Sequence, residues 1–222
     1  MEFAPLNAAE VRVLGSLIEK QITTPDYYPL TLNSLTLACN QLTNREPVVS
    51  FEESIVVRAL DGLREKRLAT QYHGAESRVA KYKHTLGDVL LLTPAETALL
   101  CVLLLRGPQT VGELRTRSER LFSFDNLDEV DAALSSLATR PADPLVVKLP
   151  RQPGTKEARY AHLLSGPVES AAINDISAPM PAVVPEPADR SRLEQLEAET
   201  ASLRRELAEL RQQFADFRKQ FE

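Results

Sequence analysis

Five times within about the first 130 residues, a Ser, Thr or Asn is followed three positions later by Glu and then by apolar residues at helical spacing. The pairs are Asn7 with Glu10, Ser50 with Glu53, Thr93 with Glu96, Thr110 with Glu113, and Asn126 with Glu129. In such a capping box the first side chain accepts from the N–H of the third helical residue, whose carboxylate returns to the N–H of the first. Helix starts are thereby fixed along the chain; the second box places one at Phe51. Thr31 caps a further short helix on its own, and Pro94 stands at the first helical position after Thr93. The apolar stripes that follow are Val11, Leu14, Leu17 and Ile18; Leu32, Leu35, Leu37 and Leu42; Val56, Ala59, Leu60 and Leu63; Leu99 to Leu104; and Leu127, Val130, Leu134 and Leu137. Asn40 is the expected left-handed stop of the short helix, and Gly107-Pro108 ends the helix begun at Pro94. The helix begun at Thr110 is expected to run through Arg120.

Between these helices lie short strand-like runs. Leu68 to Tyr72 and Arg78 to His84 flank Gly74, and Leu145 to Leu149 and Ala158 to Leu164 flank Pro150 to Lys156. The order helix, helix, helix, hairpin thus occurs twice with little residue identity, as a structural repeat would. The expected fold is mainly α with small β-hairpins (α+β). In detail it is two tandem winged helix-turn-helix domains at residues 1–86 and 87–166, a flexible Pro/Ala-rich linker at 167–189, and a coiled-coil helix at 190–222. In the last segment Leu193, Leu196, Thr200, Leu203, Leu207, Leu210, Phe214, Phe217 and Phe221 alternate in steps of three and four. With Leu193 at position a, the g-to-e pairs Arg192 with Glu197, Glu199 with Arg204 and Glu206 with Arg211 favour a parallel homodimer.

The formal net charge of -5 is unevenly placed. Residues 1–86 hold 10 Lys/Arg and 10 Asp/Glu, whereas residues 167–222 hold 7 and 11, so no basic arm or basic domain exists and any nucleic-acid contact has to be a local patch. Cys39 and Cys101 share no disulfide or metal spacing, which fits a reduced, cytoplasmic setting. The start Met-Glu-Phe-Ala-Pro has no secretory pattern, and the longest apolar run, Ala98 to Leu105, is far short of the roughly 20 residues of a spanning helix. Neither secretion nor membrane insertion is expected.

The runs Thr23-Thr24-Pro25-Asp26-Tyr27-Tyr28-Pro29-Leu30 and Ala38-Cys39-Asn40-Gln41-Leu42-Thr43-Asn44-Arg45-Glu46-Pro47-Val48 resemble the YceH-like family of bacterial proteins. Gly112 to Arg117 and Pro153 to Leu163 are similar to it as well, so the likeness covers about residues 6–166. It implies a tandem winged-helix fold in a cytoplasmic bacterial protein and supplies no catalytic residues. Leu42 stands where the family is expected to carry Lys, which leaves Arg45 as the only cation of that turn.

Enzyme signatures are missing: the chain has no Gly-rich phosphate loop, Gly-x-Ser-x-Gly, His-Glu-x-x-His or Cys-x-x-Cys. No enzymatic activity, cofactor or metal is expected. Surface or edge roles are expected for His73, His84 and His162, and no activating base accompanies Cys39. The turn holding Asn40, Gln41, Thr43, Asn44 and Arg45 carries side chains able to bond base edges, phosphate or a peptide; equally, its Asn and Thr side chains can bond their own backbone. The helix after it offers Ser54 and Arg58 beside Asp61 and Glu65, and the wing offers Arg78, Lys81 and Lys83. The matching face of the second repeat shows Asp128, Ala132, Ser135 and Thr139 without a cation, and Asp125, Asp128, Glu129 and Asp131 there repel phosphate. The leading expectation is a homodimeric binder of double-stranded DNA, in a regulatory role, acting through the first domain and the wings. The rival is a protein-interaction adaptor using acidic winged-helix surfaces. A fragment of residues 188–222 is expected to be helical by circular dichroism with a concentration-dependent melt. Replacing Leu203 and Leu207 by Asp, the central seam residues, should leave it monomeric in sedimentation equilibrium.

Overall fold

Asn7 and Glu10 close the first box, with Glu10 N donating to Asn7 Oδ1 over 2.9 Å and Asn7 N to Glu10 Oε2 over 2.8 Å, and α1 follows as Ala8–Thr23. The computed structural model describes residues 4–72, 79–141, 143–151 and 157–168. After α1 come a single 3-10 turn at Pro25–Tyr27, β1 (Leu30–Thr31) and α2 (Leu32–Cys39), the latter capped by Thr31. Next are α3 (Glu53–Glu65), β2 (Ala69–Tyr72), β3 (Lys81–His84) and a short α4 (Leu86–Leu90). The second series is α5 (Pro94–Arg106), α6 (Val111–Ser118), α7 (Leu127–Ala138), β4 (Val146–Lys148) and β5 (Tyr160–His162). Among the described residues the chain is therefore a mixed α+β protein with seven α-helices and two small antiparallel sheets.

Three of the five boxes form in full, at Asn7, Thr93 and Thr110. At Asn126 the side chain accepts from Glu129 N, but the Glu129 carboxylate accepts from Asp125 N instead. The box expected at Ser50 does not form. Asn40 donates through Nδ2 to Phe51 O and accepts at Oδ1 from Phe51 N, each over 2.8 Å. With both its backbone groups held this way, Phe51 cannot open a helix, so α3 begins at Glu53. Asn40 itself ends α2 at φ -90°, and the left-handed residue of the turn is Asn44, at φ 59°. Helix α6 stops at Ser118, whose carbonyl takes the N–H groups of both Leu121 and Phe122, short of the expected Arg120.

Strands β1, β3 and β2 lie in that order, and β4 pairs with β5, whose Tyr160 also exchanges backbone bonds with Gln109. Two elements had no periodicity to betray them. Strand β1 is two residues long and is defined by its pairing, Leu30 with Tyr82 and Thr31 with Lys81, while α4 is a single turn or so ending in Leu91 at φ 51°. Arg78, His73 and Gly74 of the first expected wing, residues 152–156 of the second expected wing, and the chain from 169 on, with the heptad segment, lie outside the described residues.

Residues 1–169 cluster as one compact unit in which α1 packs most extensively against α5. Helix α5 is buried at every position from Ala98 to Leu105, which is why its apolar run has no polar face. It lies against α1 on one side and α6, α7 and β5 on others. The crossing is close because Gly15 has no side chain: a Cβ there would stand 2.8 Å from Leu105 Cδ2 and 3.2 Å from Leu104 Cβ. Cys101 Sγ donates to Gly15 O at the same place, over 3.5 Å. None of the described helices is long and apolar enough to cross a membrane. Gly15→Val should overpack this contact and lower stability by about 1–3 kcal/mol, seen as a lower urea midpoint with little change in slope.

Candidate functional site

The segment from Cys39 to Pro47 lies between α2 and α3 and holds half of the polar residues singled out from the sequence as candidate contacts. Its carbonyls are held by two buried guanidiniums. Arg12 of α1 donates to Cys39 O over 3.1 Å and to Pro47 O. Arg45 donates to Ala38 O from Nε and Nη2, and to Gln41 Oε1 over 3.1 Å. Carbonyls at the C-terminal end of α2 thus find donors, and two positive charges face the negative end of its dipole. The same guanidinium forms a fork on Glu19, with Nη1 to Oε1 over 3.1 Å and Nη2 to Oε2 over 2.5 Å, and both side chains are fully buried. Arg120, beyond α6, reaches the same Oε1 atom from the second series. Burial alone would raise the Glu19 carboxyl, but the Arg45 hydrogen bonds and the charges of Arg45, Arg120 and Lys20 outweigh it and hold it below its ordinary range.

Asn44 and Glu46 extend the same junction. Asn44 Oδ1 accepts from Arg106 at the end of α5, and Glu46 N donates to Leu105 O over 2.8 Å. Of the residues expected to meet a partner in this turn, Asn40, Gln41, Asn44 and Arg45 all bond within the protein, and Thr43 is exposed beside the exposed Leu42.

The structure places the others elsewhere. Ser54 and Arg58 are exposed on α3, with Arg58 Nε donating to Ser54 O over 3.3 Å. The sheet register pairs Tyr72 and Thr31 with Lys81, and Thr70 with Lys83. Opposed residues share a face, so these five side chains line the side of the sheet away from Leu30, Tyr82 and His84, which belong to or pack on the core. Among the described residues, no carboxylate lies within ion-pair distance of Arg58, Lys81 or Lys83. Arg78 lies outside the described residues.

One of the expectations for histidine needs correction. His84 is buried, bonding Gln21 through Nε2 while its N–H donates to the Tyr28 hydroxyl over 2.7 Å, and burial pushes its imidazole down to about 4. His162 also has a buried Nδ1 and is pushed down to about 4 by burial. His84 shares its face of β3 with Tyr82, which packs on the core, and His162 follows the buried Tyr160 and Ala161 on β5. Cys39 is buried and its thiol is pushed up to about 11, away from the thiolate a nucleophile needs. Among the described residues no group of three or more His, Cys, Asp or Glu is placed to hold a metal ion.

The sequence reading missed Arg12, Glu19 and Arg120. Arg12 and Glu19 are seven residues apart in one capped helix, hence on one face, and both sit within an otherwise apolar stretch. That spacing was the available signal. Arg120 came to Glu19 through tertiary packing alone, across a separation of 101 residues.

The family described as "Protein of unknown function, DUF480" matches residues 6–155. The chain belongs to the DUF480 family. UPF0502 proteins are its relatives: that of Opitutus terrae is 54% identical over 199 residues, covering 90% of this chain and 83% of the relative. That of Geobacter sulfurreducens is 55% identical over 199 residues, covering 89% and 90%, and that of Vibrio atlanticus 50% over 204 residues, covering 90% and 92%. The DUF480 match takes in the runs at Thr23–Leu30 and Ala38–Val48 on which the family resemblance rested, together with the whole Glu19, Arg45 and Arg120 junction. Arg45→Ala should cost about 3–5 kcal/mol in urea unfolding at pH 7, because it leaves Glu19 buried and half-paired. Arg120→Ala, whose side chain is 41% exposed, should cost distinctly less. Since the Glu19 carboxyl is held low, the Arg45 contribution is present above the ordinary carboxylate range and should fade as pH falls through the lowered value.

Proposed function

We propose that this DUF480 protein is a tandem winged-helix protein that binds double-stranded DNA through its first half, as a homodimer joined by residues 190–222. The repeated order of three helices and a hairpin supports the architecture. The observation that carries the binding reading is the exposure of Arg58 with Ser54 on α3, and of Lys83 on the outer sheet face beside the half-buried Lys81, without a neutralising carboxylate among the described residues. In a winged helix, α3 is the element that enters the major groove and the hairpin flanks it on the phosphates. Ser54 and Arg58 stand at the start of α3, the end that meets base edges, while the two lysines contribute the sequence-independent attraction. Arg45 has no part in this contact, being engaged with Glu19.

A second reading, a protein-docking adaptor, is favoured by a different observation. Leu37, Leu42 and Val48, along α2 and the turn after it, are 64%, 80% and 51% exposed, and Asp128 and Asp131 are exposed on α7. Large apolar side chains on that segment suit a protein surface better than a phosphate backbone.

Fluorescence anisotropy with mixed-sequence duplex DNA over a salt series separates the two. Under the DNA reading, affinity falls steeply with salt, Arg58→Ala weakens it, and Lys81→Ala and Lys83→Ala each reduce the log-log slope by about one. Asp128→Asn with Asp131→Asn leaves it little changed. No anisotropy change even at low salt would rule the DNA reading out, and the adaptor reading then requires loss of a pulled-down protein partner on neutralising Asp128 and Asp131.

A further inference from the structure

The junction between the two series gathers more positive than negative charge. On the first side stand Lys20 and Arg45, and on the second Arg106, Arg117 and Arg120. Glu19 answers Arg45 and Arg120, with Lys20 at 3.9 Å. The other two guanidiniums are positioned mainly by neutral oxygens. Arg106 donates to Asn44 Oδ1, and Arg117 donates to Gln109 Oε1. Gln109 is 1% exposed, and its Nε2 donates back to Arg106 O over 3.0 Å, so one buried amide ties both arginines together. Amide oxygens fix a guanidinium in place without cancelling its charge.

Among the described residues, the carboxylates facing this pair are few. Glu113 lies 3.5 Å from Arg117 but also pairs with Arg159 over 3.1 Å, and Glu46, which is exposed, acts on Arg106 only through its field. The charge of Arg106 is in turn opposed by burial and by Arg117, Arg120 and Arg45, a repulsion that an added anion would relieve. Arg117 and Arg120 are 29% and 41% exposed, so solvent reaches the group.

We infer that Arg106 and Arg117, braced by Asn44 and Gln109, form a binding site for a phosphate group at the junction of the two series. Two planar guanidiniums on adjacent elements, each with hydrogens beyond those given to Asn44, Gln109 and Glu113, suit the tetrahedral face of a phosphate, which accepts several charge-assisted bonds at once. The site is separate from α3 and the outer sheet face, so it stands or falls independently of the DNA reading. The phosphate can belong to a soluble polyphosphate or to a nucleic-acid backbone, and the two arms of the test distinguish these sources.

Thermal melts of the full chain with pyrophosphate, against sodium chloride of matched ionic strength, form the first arm. The expected result is a rise in melting temperature that grows with the logarithm of pyrophosphate concentration. Arg106→Gln and Arg117→Gln, each checked for native circular dichroism, should weaken it about tenfold or more, as loss of one charge-assisted bond implies. In the second arm, the same variants are titrated with a labelled 20-base-pair duplex. A loss of duplex affinity at Arg106 and Arg117 without any pyrophosphate response keeps the phosphate site and assigns it to a nucleic-acid backbone. If both variants respond to pyrophosphate and duplex as the parent does, or the parent responds to neither, the site does not exist. Arg58→Ala in the duplex arm reads the α3 contact separately, so failure of one proposal is not mistaken for failure of the other.

Discussion

A carboxylate with no access to water is unstable in a protein interior unless its oxygens are matched by charged donors. Glu19 is such a group, and the donors that match it come from distant parts of the chain: Arg45 from the turn after α2, and Arg120 from beyond α6. The consequence is geometric. Arg45 can meet Glu19 only if the turn folds back over α1, and the turn is kept there by Arg12 on its carbonyls and by the Asn40 clamp on Phe51. The start of α3, and so the direction of its exposed face, follows from the same set of bonds. Ion pairs of this kind add little net stability over an apolar replacement, but leaving either partner alone is costly, so they select one arrangement of the chain over its near alternatives.

The apolar half of that arrangement is α5. A helix buried on all sides needs neighbours all round, and no single three-helix series provides them. Helix α1 covers one flank of α5, at a distance set by Gly15, while α6, α7 and β5 cover the others. The polar junction sits at the C-terminal end of this same contact, where Leu105 O accepts from Glu46 and Arg106 from α5 reaches Asn44. Packing along the helix and charge matching at its end therefore position the two series together. Side chains on the junction move with that contact, whereas Arg58, Lys81 and Lys83 do not touch it.

Helix starts were legible because a capping box is a local device: Asn7, Thr93 and Thr110 need only the residue three positions on. Ser50 shows where locality fails. Its partner Glu53 is in the right place, but Asn40, eleven residues before Phe51, captures the backbone that the box requires. The same long-range bonding explains the candidate site. Asn40, Gln41, Asn44 and Arg45 were singled out for polarity in a turn, and polarity cannot tell a side chain that bonds a partner from one that bonds the protein's own carbonyls. Burial decides it, and burial here depends on α5, which lies more than forty residues further on. Lys81 and Lys83 were legible as a same-face pair because strand alternation is again local, though β1, which adds Thr31 to that face, was not.

The distribution of positive charge follows from this division of labour. Arg12, Arg45 and Arg120 fix backbone or Glu19, Arg115 holds Phe124 O and Asp125 O, and Arg159 holds Pro108 O and Glu113. Of these, Arg45, Arg120 and Arg159 have a carboxylate partner inside the protein, so each attracts an outside anion less than its formal charge suggests. Arg106 and Arg117 differ because amide oxygens carry much of their positioning, and Arg58, Lys81 and Lys83 differ because no described carboxylate lies close to them. With formal charge near balance in the first 166 residues, attraction for an anionic partner can arise only where positioning and neutralisation are separated in this way. The exposed face of α3 with the outer sheet face of the first series is one such place, the junction with the second series is another, and they share no side chain.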